Sequence, residues 1–267
     1  MIKRTGRPSD RKGEILSTLR VICFAAALLC GVGTVSAQVV MPPASALQLA
    51  GGKLDLGGAD VQIGGTLGVG AGTIANAKNI TIAAGGLLDA GSGTINLFGN
   101  WSDLGNFVAG TSTVNFVDGG LASAILAGAT TFYAATFVSS TGKNYVLPVG
   151  LTQNFTTALT ILGTAAQGIQ FRSASAGQVA FVNLAPAGAQ NIDFVGVSNV
   201  HATGQPLAPT KTNDGGSGDA IGWFGLVAVA AQAVAAPLLS PLGLLLFGLI
   251  LMWLTHKFRF SHSRQTS

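Results

Sequence analysis

At 267 residues, with 48% hydrophobic and only 9% charged side chains, the chain lies outside an ordinary soluble composition, and its 14 basic residues are unevenly placed. Six lie between Lys3 and Arg20 and three after Leu254; the middle, Gln38 to Ala236, holds eight Asp, no Glu and only Lys53, Lys78, Lys143, Arg172 and Lys211, a balance of about −3. That balance removes the electrostatic basis for binding nucleic acid, and because Cys23 and Cys30 both fall in the N-terminal apolar run, it leaves no disulfide or thiol chemistry downstream.

Residues 1–20 are polar and basic, Val21 to Val32 are apolar, and Val35 and Ala37 put small side chains where a signal peptidase reads them. This order predicts a signal peptide over 1–37, cleaved after Ala37. The alternative is an uncleaved anchor helix, for which about a dozen apolar residues is a short run. Cys30 follows bulky Leu29, which argues against lipoprotein processing.

Residues 38–46 read as a linker. From Leu47 the chain consists of short apolar alternations bounded by Gly, Ala, Asn, Ser and Thr, the period-two signature of strands with one face inward. Apolar runs start at Leu54, Val61, Leu67, Ile74, Ile80, Leu87, Ile95, Trp101, Phe107 and Val114, and every third one recurs after about twenty residues. Three short strands per recurrence is one coil of a parallel β-helix, in which each coil buries its inner face on its neighbours. The spacing predicts nine or ten coils over 47–225, a rod about 45 Å long. A β-sandwich is the competing architecture, but the hairpin pairs Asp118-Gly119 and Asp214-Gly215 are few for one. Asn76, Asn79, Asn96 and Asn100 fall near corners and are expected to be ordinary turn asparagines; stacked amide ladders are the alternative.

Chemistry-bearing residues in the middle are sparse. His201, in a polar stretch before Gly204, is its single histidine and is expected at the surface; Asp55, Asp60, Asp89, Asp103, Asp118 and Asp193 sit at strand ends or corners. Neither metal clusters nor a base-activated nucleophile find enough partners in this inventory. Residues 213–219 (NDGGSGD) look like a glycine-rich calcium repeat, but Ala220 stands where its carboxylate belongs, so a turn is expected. Asn79, Asn100 and Asn154 open Asn-x-Ser/Thr triplets, read as coincidental. The chain is expected to be no enzyme and to hold no metal or cofactor. A carbohydrate-active β-helix enzyme, with carboxylates paired between coils, is the alternative from another class.

Residues 226–236 form a second linker. Leu238 to about residue 255 is apolar and just long enough to cross a bilayer, with Trp253 near its far end and Lys257, Arg259 and Arg264 beyond as a cytoplasmic stop. Ala236-Pro237-Leu238-Leu239-Ser240-Pro241-Leu242-Gly243 precedes it, where the prolines hold extended backbone. Tail residues 237–267 resemble the IPTL-CTERM sorting domain, a relative of PEP-CTERM. The matches are Pro237, Leu239, Ser240 and Gly243; Ala236, Leu238 and Leu242 depart from the pattern. The resemblance implies a Gram-negative bacterium and processing by an exosortase-type membrane peptidase. An uncleaved tail anchor is the plainer alternative.

The segments Gly110-Thr111-Ser112-Thr113-Val114-Asn115-Phe116, Thr130-Thr131-Phe132-Tyr133, Gly142-Lys143 with Val146-Leu147-Pro148, Ile192-Asp193-Phe194-Val195 and Gly222-Trp223-Phe224 resemble the β-strand repeat proteins of bacterial surfaces, akin to filamentous-haemagglutinin-type adhesins. That resemblance implies an all-β, right-handed parallel β-helix ectodomain displayed outside the cell. Between an N-terminal signal helix and a C-terminal transmembrane helix, such a domain has a structural or adhesive role. The expected partners are signal peptidase, the exosortase-type peptidase, the membrane, and extracellular polysaccharide or other surface proteins.

Overall fold

The structure, a computed structural model, describes residues 37–225 together with Leu249, Ile250, Met252 and Trp253. Those last four are helical; among the described residues no helix is long and apolar enough to cross a membrane. The expected signal segment up to Ser36 and the rest of the expected membrane segment at 238–255 lie outside the described residues.

The first four coils are three-sided. They comprise β1 (Gln38–Met41), β2 (Ala46–Gln48) and β3 (Lys53–Asp55), then β4 (Asp60–Ile63), β5 (Thr66–Gly68) and β6 (Thr73–Ala77). The third coil is β7 (Ile80–Ile82), β8 (Leu87–Asp89) and β9 (Thr94–Leu97); the fourth is β10 (Trp101–Asp103), β11 (Asn106–Val108) and β12 (Thr113–Phe116). All ten apolar starting points fall inside these strands. The chain continues through β13 (Ser123–Ala127), β14 (Thr131–Val138), β15 (Asn144–Leu147), β16 (Thr152–Leu162), β17 (Ile169–Ser173), β18 (Ala180–Leu184), β19 (Ala189–Asp193), β20 (Val195–Ser198) and β21 (Val200–Ala202).

Every ladder between these strands is parallel, and each links one coil to the next. The first sheet stacks β1, β4, β7, β10, β13, β15, β17 and β20; the second stacks β2, β5, β8 and β11; the third runs from β3 through β6, β9, β12, β14, β16 and β18 to β21, with β19 also on β16. A hairpin-built sandwich needs antiparallel ladders, so the parallel β-solenoid is the fold. Glycine makes the tight corners possible. Gly91 and Gly110 have φ near +55°, and a Cβ on Gly110 would lie 2.1 Å from the Gly91 carbonyl oxygen one coil below.

Two expectations about extent are corrected. The solenoid has about eight turns, so its length is about 38 Å rather than 45 Å. The period is what changed: Lys53 lies over Thr73, Thr73 over Thr94 and Thr94 over Thr113, whereas Ala134 lies over Ala158 and Ala158 over Ala189. Steps of 20, 21 and 19 residues thus give way to 24 and 31. The solenoid also begins earlier than Leu47. The segment 38–46, read as a linker, contains β1, whose Val39 and Met41 continue the columns of Val61 and Ile63; Pro42 and Pro43 end the run too soon for its alternation to stand out.

The longer coils lose a corner and gain aromatics. Between β11 and β12 the chain turns through Gly110, but β14 and β16 each run on through the equivalent corner as one strand, with a register shift at Phe132/Ala134 that sets Tyr133 against Thr156-Thr157. In the first three coils the core is aliphatic, mainly Val, Leu and Ile with Met41 and alanines such as Ala77 and Ala90. From the fourth onward Trp101, Phe116, Phe132, Phe137, Tyr145, Phe155 and Phe171 fill the interior, all at most 2% exposed. Phe116 stacks on Phe137 with centroids 4.5 Å apart, and Phe132 on Phe155 at 5.5 Å. Larger rings fill the wider cross-section that a longer coil encloses.

Candidate functional site

The corners and outer faces carry the polar residues, and their first use is structural. The corner asparagines, read as ordinary turn residues, instead bond from coil to coil. Asn79 Nδ2 donates to Asp60 (2.8 Å), Asn79 Oδ1 accepts from the Asn100 N–H (2.7 Å), and Asn100 Oδ1 accepts from the Ile125 N–H (2.8 Å). A second ladder joins Asn115 to Asn96 at 2.8 Å and a third joins Asn183 to Asn154 at 3.0 Å. The three Asn-x-Ser/Thr asparagines thus all work as rungs, each satisfying a polar group one coil away.

Most corner carboxylates are used in the same way. Asp55 pairs with Lys53 at 2.8 Å and accepts from Asn76 at 2.8 Å, which with the Gly57 N–H holds its pKa at about 2. Asp89 accepts from the Gly91 N–H at 3.1 Å. Asp118 accepts from the Ser140 N–H (2.8 Å) and from the Ser140 and Thr141 hydroxyls; burial pushes its pKa up, but these bonds outweigh burial and hold it below the usual carboxylate range.

Two polar clusters penetrate the core, and neither was visible in the sequence. Lys143, read there as one of five scattered cations, is fully buried, with Nζ donating to the carbonyls of Phe98 and of Val117 (2.9 Å). It ties three successive corners together; burial lowers its pKa and nearby Asp118 partly opposes that shift. The second cluster starts at Asp103, which occupies the inward column that Ile63 and Ile82 fill in earlier coils. Trp101 Nε1 donates to Thr130 Oγ1 (3.0 Å), which donates to Asp103 Oδ2 (3.1 Å), while buried Gln153 donates to the Gly128 carbonyl (2.6 Å). Desolvation raises the Asp103 pKa despite the Thr130 bond. A backward signal existed only in register: an Asp twenty-one residues after an inward Ile.

His201 is less exposed than expected. Its ring packs edge-on to Phe181, one coil away, and Nε2 lies 3.0 Å from Asp219. The stretch 213–219 is a pinned turn. Asn213 bonds both backbone groups of Val197, at 2.8 and 2.9 Å, as a strand neighbour would, and Asp214 N–H donates to Val195. Among the described residues, no three His, Cys, Asp or Glu side chains converge as a metal site would require.

The outer face of the third sheet carries polar rows, interrupted by register shifts at Ile74/Ala77 and Phe132/Ala134. Thr73, Thr94 and Thr113 stack in one row, and Asn96, Asn115, Thr136, Thr160 and Asn191 in the next. On the first sheet a shallow groove is lined by Asp60, Asn79, Thr81, Asn100 and Ser102. A third feature is a groove beside Asp193, whose carboxylate meets Lys211 at 3.0 Å between Asn191 and Thr210. Of the expected targeting residues only Ala37 is described: it is exposed, and its carbonyl accepts from the Asp60 N–H at 3.0 Å. Val35, Pro237, Leu239, Ser240, Gly243, Lys257, Arg259 and Arg264 lie outside the described residues.

The arrangement defines a parallel β-solenoid protein whose faces bear mainly hydroxyl and amide side chains, with a few charges such as Asp60 and the Lys53–Asp55 pair among them. No protein-family model, no curated protein and no solved structure matches the chain.

Proposed function

We propose that this chain is an exported surface or extracellular-matrix protein of a Gram-negative bacterium, whose right-handed β-solenoid acts as a structural or adhesive module. The solenoid fold is compatible with that role. The observation that carries the reading is the third-sheet face, where Thr and Asn repeat in register at the interstrand spacing of about 4.8 Å. Such a face presents hydroxyls and amides to a repetitive partner, such as a polysaccharide or another surface protein. Right-handedness follows from the handedness of parallel strand crossovers.

The N-terminal order of basic, apolar and small residues supports export by signal peptidase at Val35 and Ala37. At the other end, the apolar segment and the stop residues Lys257, Arg259 and Arg264 suffice for membrane retention. Pro237, Leu239, Ser240 and Gly243 support release by an exosortase-type peptidase. Fractionation of cells producing the chain with a tag inserted at the exposed Gly177 turn tests the core of the proposal: the tag is expected in the envelope or medium. A tag found in the soluble cytoplasm would sink it. Pro237→Ala with Ser240→Ala is expected to block processing and trap the protein in the membrane; unchanged release reduces the tail to a plain anchor.

The groove at Asp193 and Lys211 favours a second, enzymatic reading, since a carboxylate and a cation meet there. Glycoside cleavage ordinarily needs two carboxylates, and the other groove-lining side chains are Gln190, Asn191, Ile192, Ala208, Pro209 and Thr210. The adhesive reading therefore has the stronger support.

A further inference from the structure

The two ends of the solenoid differ. At the C-terminal end the last coil is covered: Ala202 N–H donates to Ile221 (2.8 Å), Leu207 N–H to Gly222 (2.9 Å) and Phe224 N–H to Leu207 (3.0 Å). Trp223, 4% exposed and 6.3 Å from Phe171, closes the core above them. At the N-terminal end, β1, β2 and β3 each pair on one side only among the described residues, with β4, β5 and β6. Their core-facing columns end in Val39, Met41, Leu47 and Leu54; Met41 is buried and Leu54 half-buried, but Val39 and Leu47 are 38% and 40% exposed, although the residues under them, Val61 and Leu67, are buried. Three free strand edges around an apolar centre form a template for further pairing.

We propose that this first coil is the docking face for a second copy of the chain, joined end to end through a two-fold axis that crosses β1 at right angles to the solenoid. The inference rests on the proposed cleavage after Ala37, which makes Gln38, the first residue of β1, the first residue of the chain and leaves no preceding segment to fold over the coil. Several features select a second copy as the occupant. The matching shape is a coil of the same three-sided outline, and the symmetry operation supplies it. It sets β1 against the partner's β1, and it sets β2 against the partner's β3, which has the same three-residue length. The only charged side chains in the coil, Lys53 and Asp55, already neutralise each other at 2.8 Å, so two such ends meet without like-charge repulsion. The two new α-amino groups fall at opposite ends of the β1 pair. Roughly twenty residues a side is what a standard interface contains. Because the other end is closed by Trp223, the contact gives a closed dimer and not a filament.

The test uses the full chain with Cys23→Ser and Cys30→Ser, produced in a Gram-negative cell. Single cysteines are placed at Val40, on the outward side of β1, or at Ile221, 61% exposed at the closed end. After treatment with a short bis-maleimide, Val40→Cys is expected to give a band of doubled mass and Ile221→Cys none. Adding Leu47→Lys, which puts a charge into the contact, is expected to abolish the doubled band. N-terminal sequencing of the same material separates the two failures. A chain starting at Gln38 with no doubled band overturns the dimer and leaves export standing; a chain starting at Met1 without the band overturns the cleavage on which the dimer rests. Equal crosslinking at both positions, or crosslinking that survives Leu47→Lys, also overturns the end-to-end dimer.

Discussion

Replacing Phe137 by Ala removes the ring on which the widened half of the core is organised. Phe137 is fully buried and meets Phe116 at 4.5 Å, Tyr145 at 4.9 Å, Phe171 at 5.1 Å and Phe155 at 6.3 Å. A buried Phe→Ala change costs about 3–5 kcal/mol through lost transfer energy and the cavity left behind. Ring pairs add about 0.5–1.5 kcal/mol each beyond area, though not additively. The parallel ladders above and below limit collapse into the cavity, so the expected loss is about 4–5 kcal/mol. That is a large share of the roughly 5–15 kcal/mol of a typical domain. Because coils interact chiefly with their neighbours, the defect also uncouples the halves. Urea unfolding followed by fluorescence reads both effects, since Trp101 lies in the same cluster, 6.4 Å from Phe116. The expected result is an earlier midpoint and a transition that broadens into two. A loss below about 1 kcal/mol, with a single sharp transition, would refute the reasoning.

Asn79→Asp keeps the acceptor for the Asn100 N–H but sets a carboxylate against Asp60, so the variant is expected to be destabilised at neutral pH and to recover in acid; thermal melts at several pH values check this. For Asp118 the folded pKa is depressed, so its contribution is present above the ordinary carboxylate range and is lost as pH falls through the folded value. Asp118→Asn is expected to be less stable at pH 7 and to lose less on acidification, measured by urea midpoints against pH. Asp103 has the opposite sign: its folded pKa is raised, so its contribution is complete below the ordinary carboxylate range and disappears as pH rises through the folded value. Asp103→Asn, which keeps an acceptor for Thr130, is expected to raise the melting temperature at pH 7 and to change it little in acid; a lower value at pH 7 would contradict the assignment.

The strand positions were legible because they depend on local pattern. Ile80 and Ile82 alternate with Thr81, and small residues bound the run, whatever lies above it. Small residues were readable in the sequence as strand boundaries, and at Gly91 and Gly110 the structure shows why glycine is needed: a positive φ and the close approach of the coil below. The later coils were harder to read because β14 and β16 run on through the corner without a glycine, which lengthens the repeat and hides its period. The His201 environment was missed because Phe181 and Asp219 reach it from other coils.

Taken alone, the sequence determined that the middle of this protein is a run of short strands without thiols, and its twenty-residue recurrence favoured stacked coils over a sandwich; the parallel ladders were decided by the structure. Only the tertiary structure decided which polar side chains turn inward. Lys143 reads like any other lysine until the carbonyls of Phe98 and Val117 are brought to it, and Asp103 reads like a corner carboxylate until it appears in a column of isoleucines. The difference in the two ends was also a tertiary matter. A coil is open or closed according to what stacks on it, and stacking partners lie some nineteen to thirty-one residues away along the chain.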